Sequence, residues 1–162
     1  MCYGRQVDAV VDSSSLISLA RAGLLPLLGD VPFEILVPEE VWQETVVEGI
    51  ARGYPDAAAI ESACSALERT ISHSSTTADN AVVQAAGSVG LLIANDLALG
   101  RRARNVGAHW LRTGDIVVLL WRGGHIPRSR AVSAVVALRD AGRMAPALAG
   151  RLLDEMEESD GS

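Results

Sequence analysis

The sequence predicts an α/β domain: a central parallel sheet covered by helices on both faces, a three-layer α/β/α sandwich. Three observations lead there. Short, uniformly apolar runs alternate with longer stretches at helical spacing. Strands buried on both faces read in this way, and helices between strands impose crossovers and parallel pairing. Two of the apolar runs also end on an acid that opens a helix. Val7-Asp8-Ala9-Val10-Val11 closes on Asp12, and Leu91-Leu92-Ile93-Ala94-Asn95 closes on Asp96. Finally, 162 residues suffice for one domain with a sizeable core. No repeat and no linker divides the chain, so residues 1–162 are expected to form a single domain.

The elements follow in order. Ser13-Ser14-Ser15 offers helix caps, Leu16-Ile17-Ser18-Leu19-Ala20 begins a helix, and Gly23 stops it. Leu24 to Leu28 forms a short helical turn. Glu34-Ile35-Leu36-Val37 is the second strand. Pro38 stands at a first helical position, with Val41, Trp42 and Thr45 continuing at helical spacing. Gly49, Gly53 and Pro55 mark a break. An Ala-rich helix is expected over 56–69, with Ile60, Cys64 and Leu67 on one face. His73-Ser74-Ser75-Thr76-Thr77 is a polar loop, the best candidate for mobility, and Thr77 caps a helix from Ala78 to Ala86. Gly90 leads into the third strand, Leu91–Ala94. A helix runs from Leu97 to Asn105, and Ala108–Leu111 is a fourth strand. Asp115 opens an apolar helix through Trp121. Beyond Gly123-Gly124 and Pro127, two helices cover about 128–141 and 145–157, and a short acidic tail fills 154–162.

Composition excludes several chemistries. Hydrophobic residues make up 49% but aromatics only 4%, so aliphatic side chains must fill the core. No apolar stretch reaches the roughly 18 residues of a membrane span, and Met1-Cys2-Tyr3-Gly4-Arg5 lacks an apolar signal region. Cys2 and Cys64 make neither a metal-ligand spacing nor a disulfide framework, so a reducing cytoplasm is expected. Lysine is absent: all 14 basic residues are arginine. Walker-type phosphate loops, Schiff-base catalysis and Ser-Lys dyads all need lysine. A phospho-acceptor receiver domain, which also starts with a strand-end acid, is disfavoured for the same reason. Charge is unevenly spread. Residues 1–95 carry 4 Arg against 12 acids, residues 96–153 carry 10 Arg against 3, and the tail carries 5 acids. The overall −6 therefore hides a basic segment suited either to phosphates or to a solvated helix surface.

The acids carry the chemistry. In open parallel sheets, ligands bind at the carboxyl ends of the strands. Asp12 and Asp96 stand there, although each also suits a helix cap. Asp79 lies in a first helical turn, where the helix dipole welcomes an acid in any case. Glu40, Glu44 and Glu48 share one face at i, i+4 spacing, and Glu44 lies nearer the buried stripe than Glu39. Asp115, after Thr113-Gly114, is a fifth candidate with capping as its plainer role. Clustered carboxylates repel unless a cation neutralises them, which points to a divalent metal. His73, His109 and His125 are scattered without metal-ligand spacing.

Four segments in this order resemble the acidic motifs of PIN-domain ribonucleases. They are Val10-Val11-Asp12-Ser13-Ser14, Val41-Trp42-Gln43-Glu44-Thr45-Val46, Thr77-Ala78-Asp79-Asn80-Ala81-Val82-Val83 and Leu92-Ile93-Ala94-Asn95-Asp96. Residues 16–25, Ile35 to Val41 and Arg101 to Gly107, with the helical extension after Asp115, are similar to a VapC-like prokaryotic branch. The resemblance implies a PIN fold and a Mg²⁺- or Mn²⁺-dependent endoribonuclease. Relatives are often toxins of toxin–antitoxin pairs and homodimers, so RNA, an antitoxin and a second copy are the implied partners. Asp12, Glu44, Asp79 and Asp96 are the implied catalytic metal ligands, with Asp115 a further candidate. Ser14, Asn95 and Thr113 would support them. Arg101, Arg102 and Arg104, one helix beyond Asp96, would hold RNA. The chain departs from the branch at 70–77, at Asp115 and at Asn95, where the branch often has a second acid. Two rivals stand beside this reading. One is a catalytically silent PIN-like protein that acts by binding. The other is a metal-dependent phosphatase, which would show Asp-x-Asp where this chain has Asp12-Ser13-Ser14.

Overall fold

The computed structural model describes residues 8–70 and 77–158. Its first half runs β1 (Asp8–Val11), α1 (Ser13–Arg21), a 3-10 turn (Leu25–Gly29), β2 (Glu34–Pro38) and α2 (Glu39–Trp42). A π-helical segment (Gln43–Val47), α3 (Glu48–Ala51), α4 (Asp56–Cys64) and β3 (Glu68–Thr70) follow. The second half runs α5 (Ala78–Val89), β4 (Leu91–Ile93), α6 (Leu97–Asn105), β5 (His109–Leu111), α7 (Thr113–Arg122), α8 (Arg128–Asp140) and α9 (Pro146–Glu158).

The five strands form one parallel sheet in the order β3-β2-β1-β4-β5. The chain builds outward from β1 through β2 and β3, then returns to β1's other side for β4 and β5. The order therefore reverses between β1 and β4, a switch point of the kind where open α/β sheets place their ligands. Val10 and Val11 pair with Leu92 and Ile93, so Asp12 and the Ala94–Asp96 turn leave the sheet side by side. Helices cover both faces, the expected α/β/α sandwich. Ala9, Val10, Val11, Leu92 and Ile93 have no exposed surface, nor do Leu16, Leu120, Leu138 and Met156 on the helices. The same apolar cluster continues from β1 into α8 and α9, so the C-terminal helices share the core with the sheet.

Three expectations need correction. Pro38 is the last residue of β2 and the N-cap of α2, not its first helical residue. The Ala-rich helix does not reach residue 69: it ends at Cys64, and the chain turns with the Leu67 amide bonded to the Cys64 carbonyl. Glu68–Thr70 then forms a fifth strand, paired with Leu36–Pro38. Leu67 continued the helical spacing, but Glu68-Arg69-Thr70 is a charged edge strand whose conformation comes from its neighbour, not from its composition. The helix beginning at Ala78 is also longer than expected, ending at Val89 with Gly90 in the left-handed region at φ 95°. Gly100 is required for another reason. Trp110 lies against it so closely that an added Cβ would fall inside the indole ring, and this contact seats α6 on β5. Cys2, His73 and residues 71–76 of the polar loop lie outside the described residues, as does the end of the acidic tail.

Candidate active site

Asp12 ends β1, and only 3% of its surface is exposed. The chain must turn sharply from strand to helix here, and the carboxylate caps that turn by accepting the Ser15 amide at 2.9 Å. The Ser14 hydroxyl donates to its other oxygen. Burial pushes the Asp12 carboxyl above its ordinary value, against the lowering effect of the Ser14 and Ser15 hydrogen bonds.

Ser14 also reaches across the switch point, where its oxygen accepts the Asn95 backbone amide at 3.3 Å. The Asn95 side chain is in turn locked to Thr113. Its oxygen accepts the Thr113 amide, and its NH₂ donates to the Thr113 hydroxyl, each at 3.0 Å. A continuous chain, Asp12–Ser14–Asn95–Thr113, thus ties the ends of β1, β4 and β5 together. Asp96, next to Asn95, is exposed and caps α6 by accepting the Leu99 amide at 3.0 Å.

Glu44 approaches from the other side. It lies in the π-helical segment, and Thr45 back-bonds to the Val41 carbonyl at 2.7 Å within the same stretch. Single π turns recur at functional sites because the extra residue re-aims side chains. The Glu44 carboxylate accepts the Ser13 hydroxyl at 2.9 Å, which links this helix to the residue after Asp12. A cleft of about 510 Å³ is lined by Glu39, Glu40, Gln43, Glu44, Glu48 and Asp79, with Thr77 and Ala78 beside it. Glu44 is exposed, whereas Glu40 is half-buried with one carboxylate oxygen sealed from water and without a hydrogen bond. The cleft therefore brings Glu44 and Asp79 together but adds Glu40 as an inward acid.

Other expected residues are placed less centrally. Asp115 turns its carboxylate back to the Arg112 amide at 2.9 Å, the plainer capping role. Arg101, Arg102 and Arg104 are exposed on α6. Arg102 donates to the Asn80 side chain at 2.6 Å, beside Asp79, so this face of α6 meets the first turn of α5. His109 and His125 are exposed, on β5 and after α7. Burial pushes the Cys64 thiol up to about 11, which makes it a packing group and not a nucleophile. Among the described residues, no three Asp, Glu, His or Cys side chains converge closely enough to hold a metal as they stand.

Three features escaped the sequence reading. These are the Ser13–Glu44 bond, the buried oxygen of Glu40, and Arg112 stacked on Trp110, its guanidinium 4.8 Å from the ring centre. Only the last left a signal, since residues two apart on a strand project to the same side.

A doubly wound parallel sheet with Asp12 and Asp96 beside its switch point belongs to the open α/β class, whose ligands bind at that point. Within it, a family model described as a PIN domain matches residues 8–158, and the chain belongs to that family. PIN domains are in general nucleases that use divalent metals and act on nucleic acids. Comparison with curated proteins finds no match. Among the described residues, no helix is long and apolar enough to cross a membrane.

Proposed function

We propose that the protein is a metal-dependent endoribonuclease of the VapC-like kind, acting as the toxin of a toxin–antitoxin pair or as an RNA-processing enzyme in the cytoplasm. The observation that carries the reading is the hydrogen-bonded chain from Asp12 through Ser14 and Asn95 to Thr113 at the switch point. It fixes a buried carboxylate beside Asp96, with the acid cleft of Glu44 and Asp79 adjoining.

The donor set fits Mg²⁺ or Mn²⁺. It consists of carboxylate and hydroxyl oxygens, the hard ligands these ions prefer. Asp12 takes its hydrogen bonds from neutral groups, so its buried charge gains from a cation. Asp12, Glu44, Asp79 and Asp96 would hold the ion, and Glu40 is a further donor for the same cleft. When bound, the ion supplies Lewis-acid activation of water and neutralises phosphate charge. The chain's own residues do the rest. Ser14 orients Asp12, Ser13 orients Glu44, and the Asn95–Thr113 pair fixes the turn that carries Asp96. Arg101 and Arg104 are available to the RNA backbone, with Arg102 holding the start of α5.

Metal titration followed by cleavage of a pooled RNA tests the proposal. Cleavage that requires Mg²⁺ or Mn²⁺ and vanishes in Asp12→Asn supports it. Metal binding without any cleavage would favour the catalytically silent reading. Co-purification with the product of an adjacent gene tests the antitoxin partner, and light scattering tests the homodimer.

A further inference from the structure

The basic segment is expected to act through α6, yet it also holds an exposed cation stacked on an aromatic ring, Arg112 on Trp110. Arg112 follows β5, the strand beyond β4 from Asp12. Ile93 pairs with Leu111, and the Ala94 amide donates to the Leu111 carbonyl at 2.9 Å. Ala94 and Arg112 therefore emerge from neighbouring strands at the same level, about 5 Å apart as adjacent strands are. The next residue on each strand, Asn95 and Thr113, joins the chain that leads to Asp12.

The Arg112 guanidinium lies over Trp110, and the indole is itself immobilised. Its Nε1–H donates to the Ala94 carbonyl at 2.8 Å, and Gly100 packs against its ring. A guanidinium stacked on an indole spends one face on the ring and keeps its edge donors free. Among the described residues no carboxylate stands at ion-pair distance from it. Asp115, the nearest acid in sequence, binds the Arg112 backbone amide instead. The carboxyl edge of the sheet is thus polarised, with glutamates around the cleft at one side and a pre-positioned, unpaired cation at the other.

We infer that Arg112, held by Trp110, is a phosphate clamp that takes a backbone phosphate of single-stranded RNA beside the acid site. The inference rests on the nuclease reading for its substrate class. Its planar fork suits two phosphate oxygens at once, which a flexible, unstacked side chain matches poorly. The clamp fixes where the strand leaves the acids toward β5, and so sets the register of the substrate.

The test measures binding of a labelled short single-stranded RNA of mixed sequence, in chelator and over a range of salt. Wild type is compared with Arg112→Gln and Arg112→Lys. Both variants keep the backbone amide that Asp115 caps, and a melting curve checks their folding. Arg112→Gln should weaken binding roughly tenfold at low salt and lower the salt slope by about 0.7, the share of one phosphate on a single strand. Arg112→Lys should keep the slope while losing part of the affinity. Unchanged affinity and slope in folded Arg112→Gln would overturn the clamp, as would Arg112→Lys indistinguishable from wild type, or wild type that does not bind RNA. Failure of the nuclease reading looks different: no cleavage with Mg²⁺ or Mn²⁺, although the Arg112→Gln slope still falls.

Discussion

Removing the Ser14 hydroxyl tests the centre of the site with little change of shape. Ser14→Ala deletes one oxygen that donates to buried Asp12 and accepts the Asn95 amide. A hydrogen bond to a charged group contributes about 1.5–3 kcal/mol, and an orphaned amide costs about 1 kcal/mol more. The expected loss at neutral pH is about 2.5–4 kcal/mol, or roughly 5–15 °C in Tm for a domain of this size. The loss should depend on pH. Asp12 binds its proton more tightly in the folded chain than at its ordinary value of 3.8. Its contribution to stability is therefore fullest below 3.8 and fades as pH rises through the raised folded value. The Ser14 bond opposes that rise, so its removal lifts the Asp12 pKa further and deepens the loss toward neutral pH. Urea unfolding in metal-free buffer, at acid and at neutral pH, measures both effects. A deficit equal at the two pH values, or one below about 0.5 kcal/mol, would refute the idea that Ser14 holds a buried carboxylate.

Other outcomes follow from the same geometry. Asp96→Asn should abolish cleavage while leaving Tm within about 2 °C, since asparagine caps a helix as well as aspartate does; wild-type turnover in the purified variant would make Asp96 structural. Glu44→Gln should weaken Mn²⁺ binding by at least tenfold if Glu44 is the ligand, and a larger loss in Glu40→Gln, read by the same calorimetric titration, would move that role to the half-buried acid. Gly100→Ala should cost about 1–3 kcal/mol by overpacking against Trp110, visible as a shifted urea midpoint and a changed tryptophan emission. Replacing Glu155, Glu157 and Glu158 by Gln removes the Glu155–Arg122 ion pair at 2.9 Å and most of the tail's charge while leaving buried Met156 in place. It should tighten RNA binding at low salt only, and equal affinity at both salts would leave the tail a solubilising end.

Four of the five strands were legible because burial on both faces forces an uninterrupted aliphatic run, as in Ala9-Val10-Val11 and Leu91-Leu92-Ile93. β3 was not, because an edge strand of Glu68-Arg69-Thr70 owes its conformation to the backbone partners of β2. The glutamates show a subtler limit. Glu40, Glu44 and Glu48 all line the cleft, across the π segment Gln43–Val47, so their i, i+4 spacing cannot say which of them is the inward acid. Burial separates them: Glu40 is half-buried with a sealed oxygen, whereas Glu44 and Glu48 are exposed, and that burial is set by packing against other elements.

For the acids, capping and function look like competing explanations, yet the geometry lets one residue do both. A strand that ends at the carboxyl edge and turns into a helix exposes that helix's first amides there. An acid that satisfies one of them with one oxygen, as Asp12 does for Ser15 and Asp96 for Leu99, is held at the edge where ligands bind. The cap is the device that positions the carboxylate. What separates Asp12 and Asp96 from Asp115 is direction. The first two stand before their helices and cap forward, whereas Asp115 lies inside the first turn and reaches back to the Arg112 amide. That backward reach keeps the Asp115 carboxylate on the Arg112 backbone, and among the described residues no carboxylate stands at ion-pair distance from the stacked guanidinium. If Arg112 is the phosphate clamp inferred above, the acid at position 115 serves it by holding its backbone and leaving its side chain to the substrate.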